Sequence, residues 1–116
     1  MRCFLQAKIH SARLTGANVE YNGSVAVCPK LLEASGLLPN ERVDIYNIDN
    51  GNRLTTYIIE GESGEIGLNG AAALKGSPGD RVIIAAYTWL TAQEMREHIP
   101  RVVIVDENNQ IAEVRG

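Results

Sequence analysis

A mainly β fold, built as a small compact barrel with two short helices and one further helical turn, is what this sequence predicts. Three observations lead there. Short stretches of alternating or wholly apolar residues recur along the 116-residue chain. Gly, Pro and Asn punctuate them singly, with no low-complexity tract or internal repeat. Only two stretches have the composition and end signals of helices. The length fits one domain over residues 1–116, with 45% hydrophobic and 22% charged residues, an ordinary globular composition. A domain of this size removes about two-thirds of its unfolded surface from water, so it needs no covalent staple.

The elements follow in order. Arg2 to His10 mixes apolar residues with Gln6 and Lys8 in rough alternation, and Arg13–Thr15 and Val19–Tyr21 continue it as short strands. Asn22-Gly23 has the composition of a hairpin turn, with the apolar run Val25–Val27 after it. Pro29 opens a two-turn helix through Ser35, stopped by Gly36. Arg42–Ile48 and Arg53–Glu60 alternate around Asn50-Gly51 and read as a hairpin. Ile66–Leu68 is a short strand leading into Asn69–Leu74, whose small residues allow close backbone approach and a helical turn. Pro78-Gly79-Asp80 turns the chain into Arg81–Trp89, apolar enough for a central strand. Thr91 and Glu94 form a capping box for a helix over Ala92–His98, which Pro100 ends. Val102–Val105 and Ile111–Val114 close the chain as a hairpin.

Charge and cysteine content exclude whole classes of function. With 11 basic and 14 acidic residues the net charge is −3, which leaves no footprint for nucleic-acid phosphates or an anionic membrane surface. Six aromatic residues in such a chain make no basic-aromatic stacking platform, so Phe4 and Trp89 read as core or subunit-contact residues. Cys3 and Cys28 form no C-x-x-C pair and have no histidine cluster beside them, so neither a structural metal nor a disulfide is expected. No apolar run reaches a membrane span, and Gln6 interrupts the N-terminal apolar stretch too early for a signal peptide. A cytoplasmic protein with free thiols is the expectation. The run Gly61–Gly67 lacks the Lys-Ser/Thr ending of a phosphate loop and carries carboxylates, so it reads as a loop tip.

Asn22-Gly23-Ser24 admits three readings: a plain turn, a glycosylation acceptor, or a peptide bond that a flanking hydroxyl attacks. The second needs a secreted chain. The third gains weight from the motifs around it: Lys8-Ile9-His10, Tyr21-Asn22-Gly23-Ser24, Asn50-Gly51-Asn52-Arg53-Leu54-Thr55-Thr56-Tyr57 and Asn69-Gly70-Ala71-Ala72-Ala73. In that order and spacing, from Cys3 to about Val114, the chain resembles the pyruvoyl-dependent aspartate 1-decarboxylases. These convert L-aspartate to β-alanine and carbon dioxide for pantothenate synthesis. Ser11-Ala12-Arg13 and the short loop around Glu62-Ser63-Gly64-Glu65 depart from the family pattern, and neither includes a residue of these motifs.

The resemblance implies a double-psi β-barrel assembled as a homotetramer, with active sites between subunits. It implies that Ser24 attacks the carbonyl of Gly23, that the chain is cut into 1–23 and 24–116, and that residue 24 becomes a pyruvoyl group. That group would take the place of pyridoxal phosphate, with no metal, by forming a Schiff base with the substrate. An electron sink of this kind is needed because no ordinary side chain delocalises the carbanion left by carbon dioxide. The resemblance assigns Lys8 and Arg53 to the substrate carboxylates, a task suited to arginine's planar fork, and Tyr57 to reprotonation of the α-carbon. Asn69 and the backbone of Gly70, Ala71 and Ala72 line the pocket, while Thr56, His10 and Tyr21 assist self-cleavage. A maturation factor is left open. Two other readings stay beside this one: a non-catalytic β-barrel interaction module with Gly23-Ser24 intact, and a serine hydrolase using Ser24, His10 and Glu20. His98, on the second helix, has no evident partner.

Overall fold

The computed structural model describes residues 1–116. Nine strands are present: β1 (Arg2–Arg13), β2 (Gly16–Asn18), β3 (Ser24–Val27), β4 (Arg42–Asn47), β5 (Arg53–Glu60), β6 (Ile66–Asn69), β7 (Arg81–Leu90), β8 (Arg101–Val105) and β9 (Ile111–Arg115). Two α-helices, α1 (Pro29–Ser35) and α2 (Ala92–Glu97), and a 3₁₀ helix at Gly70–Lys75 complete the chain. The strands form one sheet in the order β2-β6-β3-β5-β4-β7-β1-β8-β9. Only Leu14 and Thr15 separate β1, far along that order, from β2 at its edge, so the sheet curls round a common core. The mainly β expectation holds, and the curled sheet is consistent with a small barrel.

The period of two places alternate side chains of each strand inside. Ile9, Val43, Ile45, Ile58, Val82, Ile84 and Val103 are all at most 1% exposed and belong to one apolar cluster. Burying each such side chain stabilises the fold by about 1.5–3 kcal/mol. Central β7 pairs antiparallel with β4 and β1, as its apolar character predicted. Its last outward residues are an exception: Tyr87 and Trp89 are exposed, so Trp89 is not a core residue. No helix is long and apolar enough to cross a membrane.

Local signals placed several elements correctly. Pro29 begins α1 and Gly36 ends it in the left-handed region at φ 76°, its N–H donating to the carbonyl of Leu32. No atom lies near a Cβ built at Gly36, so a side chain there meets only the conformational cost. Gly36→Ala is expected to destabilise the protein by about 1 kcal/mol and Gly36→Asn by less, because asparagine tolerates this region. Urea unfolding checks the order. Thr91 and Glu94 complete the reciprocal capping box on α2. Beyond it His98, for which the sequence named no partner, has one: its Nε2 lies 2.7 Å from the carbonyl oxygen of Leu5, with its ring edge-on to Phe4.

The segment around the Gly-Ser bond differs from expectation. Leu14 and Thr15 are a link rather than strand, and Val19–Tyr21 is a turn in which the Asn18 side chain accepts from the N–H of Glu20. Asn22-Gly23 joins no hairpin. β2 and β3 lie on opposite sides of β6, parallel and antiparallel to it respectively, so residues 19–23 must cross the end of β6. Nor does Gly23 occupy the left-handed region; that conformation falls to Gly70, at φ 64°.

Candidate functional site

β3 opens on Ser24, directly opposite Asn69 at the end of β6. The Ser24 residue is 1% exposed, although Tyr21, Asn22 and Gly23 before it are exposed. Its hydroxyl donates to the carbonyl of Asn22 at 3.1 Å and accepts from Asn69 Nδ2 at 3.1 Å. A buried hydroxyl with both functions satisfied is fixed in direction. Gly70 packs against the same turn: a Cβ built there would lie 2.7 Å from both Cα and N of Gly23 and 3.0 Å from the Tyr21 carbonyl oxygen. The structure thus brings Tyr21, Gly23, Ser24, Asn69 and Gly70 together. Ala71 is exposed and Ala72 buried in the 3₁₀ helix that follows.

β5 lies beside β3 in parallel, with Val25 level with Ile58; one residue back, the same register sets Ser24 level with Tyr57. Arg53, Thr55 and Tyr57 alternate on the outward face of β5, whereas Leu54, Thr56 and Ile58 face the core side. Thr56 and Tyr57, adjacent in sequence, therefore work on opposite faces.

On that outward face Tyr46 of β4 sits opposite Arg53, whose guanidinium lies 4.6 Å from the ring centroid. The Tyr46 hydroxyl is 2.8 Å from that of Tyr87, and Asp44 accepts from Thr55 Oγ1 at 2.7 Å. Burial first, then the Tyr87 contact and the Asp44 charge, push the Tyr46 phenol well above its ordinary range, so it stays neutral. Sequence reasoning missed this support for Arg53. The ion pairs of the protein are Arg81–Asp49 and Arg115–Glu113, so Lys8 and Arg53 have no carboxylate partner. The Arg53 guanidinium therefore meets an aromatic face rather than a carboxylate.

Other predicted residues lie apart. Lys8 of β1 shares a cross-strand row with Ala85, Asp44 and Thr55. Three strand spacings put it about 14 Å from Thr55 across the sheet, and β3 is one strand further. Arg53 is four residues from Tyr57, about 13 Å along the strand. His10 is on β1 with Lys8; its Nδ1 is buried without a partner, and burial, then the Lys8 charge, lower its pKa, keeping it neutral at pH 7. The hydrolase grouping of Ser24, His10 and Glu20 does not form: the Ser24 hydroxyl bonds to Asn22 and Asn69, and His10 Nδ1 has no hydrogen-bond partner. The cleft beside Asn69 and Tyr21 is bordered by Glu60, Glu62 and Glu65, with no cation among its lining residues. The chain holds the Gly-Ser bond and the unpaired cations at separate places.

Fold and site together define a class: small β proteins organised around a buried serine that follows a close-packed glycine, with unpaired cations on the outer sheet face. Comparison with known proteins makes this specific. The sequence profile described as Aspartate decarboxylase matches residues 1–112. The Aspartate 1-decarboxylase of Bdellovibrio bacteriovorus is 54% identical over 96% of this chain and 90% of its own length. That of Salinibacter ruber is 52% identical over 96% and 77%, and that of Bacillus pumilus 49% over 99% and 92%. This chain belongs to the aspartate decarboxylase family.

Proposed function

We propose that this protein decarboxylates L-aspartate to β-alanine and carbon dioxide for pantothenate, and hence coenzyme A, synthesis, using a pyruvoyl group made from its own Ser24. The observation that carries the reading is the buried Ser24 hydroxyl, held by Asn69 beside a glycine that the Gly70 backbone presses upon. Ser24 Oγ adds to the Gly23 carbonyl carbon, the Gly23–Ser24 C–N bond breaks, and the hydroxyl proton passes to the freed nitrogen, leaving an ester. Loss of the Ser24 Cα proton then expels Gly23 as a carboxylate, and hydrolysis releases ammonia. The chains are 1–23 and 24–116. Tyr21, Thr56 and His10 assist, Tyr21 through the turn that delivers Gly23.

A pyruvoyl group at residue 24 suits this pocket, where Asn69 already presents an amide donor and the Gly70–Ala72 backbone follows without bulky side chains. When present it supplies the electron sink for the departing carbon dioxide. Arg53, steadied on Tyr46, and Lys8 bind the two substrate carboxylates, and Tyr57 delivers the proton to the substrate α-carbon. No pyridoxal phosphate or metal enters.

The separation of Ser24 from Lys8 and Arg53 supports a site completed between subunits of a homotetramer, in the family's double-psi barrel. Exposed Tyr87 and Trp89 on the outward face suit subunit contacts. The location is cytoplasmic.

Denaturing mass spectrometry tests the reading: two fragments are expected, the larger with a carbonyl-reactive N-terminus, together with aspartate-dependent carbon dioxide release. A single intact chain that releases none would return the interaction-module reading. Arg53→Lys is expected to leave cleavage unchanged and to raise KM for aspartate about tenfold, the loss of one charge-assisted hydrogen bond of about 1.5 kcal/mol. Steady-state kinetics on cleaved protein checks it.

A further inference from the structure

We infer that Gly70 is a positioning residue for self-cleavage, acting in the precursor by holding the backbone on the N-terminal side of the scissile bond; this rests on the cleavage reading above. At Gly70 the chain turns from β6 into the 3₁₀ helix with φ 64°, a conformation L side chains rarely adopt. The space is closed as well. A Cβ would sit 2.7 Å from Gly23 Cα and Gly23 N and 3.0 Å from the Tyr21 carbonyl oxygen. All three are backbone atoms, which cannot swing aside as a flexible side chain would.

The crowding is one-sided, because a Cβ built on Gly23 itself meets nothing closer than the Asn69 carbonyl oxygen at 4.0 Å. Gly23 is therefore not a glycine for want of room; Gly70 is. Two consecutive residues hold the reacting groups from either side: Asn69 Nδ2 fixes the nucleophilic oxygen, and Gly70 abuts the N and Cα that precede the carbonyl it attacks. The bond that forms, Oγ to Gly23 C, and the bond that breaks, Gly23 C to Ser24 N, lie between these holds. Any side chain at 70 must push the turn outward by a few tenths of an ångström or more, while Ser24 stays paired with Asn69 in the β3–β6 ladder. Misplacing a reacting group by about 1 Å costs about 100-fold in rate.

The test compares wild type, Gly70→Ala and Gly70→Asn as full chains, following the cleaved fraction by denaturing mass spectrometry and folding by circular dichroism. Both variants are expected to cleave at least about tenfold more slowly while keeping the β-sheet spectrum of an uncleaved Ser24→Ala protein. Asparagine tolerates the left-handed region but carries the same Cβ. Normal cleavage in Gly70→Asn with slow cleavage in Gly70→Ala would trace the effect to backbone strain and overturn the inference, as would normal cleavage in both. If neither folds, one glycine inserted after Tyr21, in the exposed turn, gives the Gly23 backbone slack without touching residue 70. Slow cleavage in that folded protein supports the inference, and wild-type cleavage sinks it. Wild type run in parallel separates the two levels: its failure to cleave would remove the cleavage reading itself.

Discussion

Ser24→Ala is expected to persist as one uncut chain of 116 residues and to release no carbon dioxide from aspartate. The substitution removes a single oxygen, the one that adds to the Gly23 carbonyl in the proposed cleavage, and the methyl left behind has no lone pair. Water cannot take its place, because hydrolysis at the exposed Gly23 carbonyl would leave an amine rather than a ketone on residue 24. The fold survives the change. Ser24 contributes no apolar area to the core, and the chief loss is the partner of Asn69 Nδ2, worth about 1 kcal/mol or about 4 °C in melting temperature. Mass spectrometry, a carbon dioxide assay and a thermal melt together decide the matter. Cleavage or turnover in the alanine variant would remove residue 24 from the chemistry, and collapse of the fold would assign its hydroxyl a structural role.

How far the sequence announced this architecture follows the range of the interactions involved. α1, α2 and the hairpins β4–β5 and β8–β9 were legible because Pro29, Gly36, the Thr91–Glu94 box and the Asn-rich turns act within a few residues. The parallel pairings β1–β8, β2–β6 and β3–β5 were not, since nothing local records which distant strand lies alongside. That blindness turned Asn22-Gly23 into a supposed hairpin: the composition fits, but β6 lies between the strands it would join. The hairpin at Asn50-Gly51 forms as expected, but its register is not written in that dipeptide. A two-residue turn there would set Tyr46 opposite Thr55, yet Asn47 Oδ1 accepts from the N–H groups of Asp49 and Asn50, and the longer loop sets Tyr46 opposite Arg53. The seat of the guanidinium was hidden by two residues of slippage. Ser24, Asn69 and Tyr57 were singled out through motifs in series; the approach of Gly70 to Gly23 required the fold, because 47 positions of sequence separate them.

Tyr57→Phe is expected to part maturation from turnover. Tyr57 lies on the outward face of β5 and is 39% exposed, so losing its hydroxyl opens no cavity and breaks no buried hydrogen bond. The phenylalanine protein should fold and cut itself at the wild-type rate, since Ser24, Asn69 and Gly70 are untouched. Turnover is another matter. After carbon dioxide leaves, the α-carbon needs a proton, and a positioned donor in such a step contributes about 10²–10⁴ in rate. A fall of that size in kcat is expected, with KM changed little because the proposed binding of the substrate carboxylates rests on Arg53 and Lys8. Stopped-time assays on fully cleaved protein give both constants. Loss of cleavage in Tyr57→Phe would place the hydroxyl in the precursor's chemistry. An unchanged kcat would mean that the proton comes from water, which the exposure of Tyr57 admits to that face.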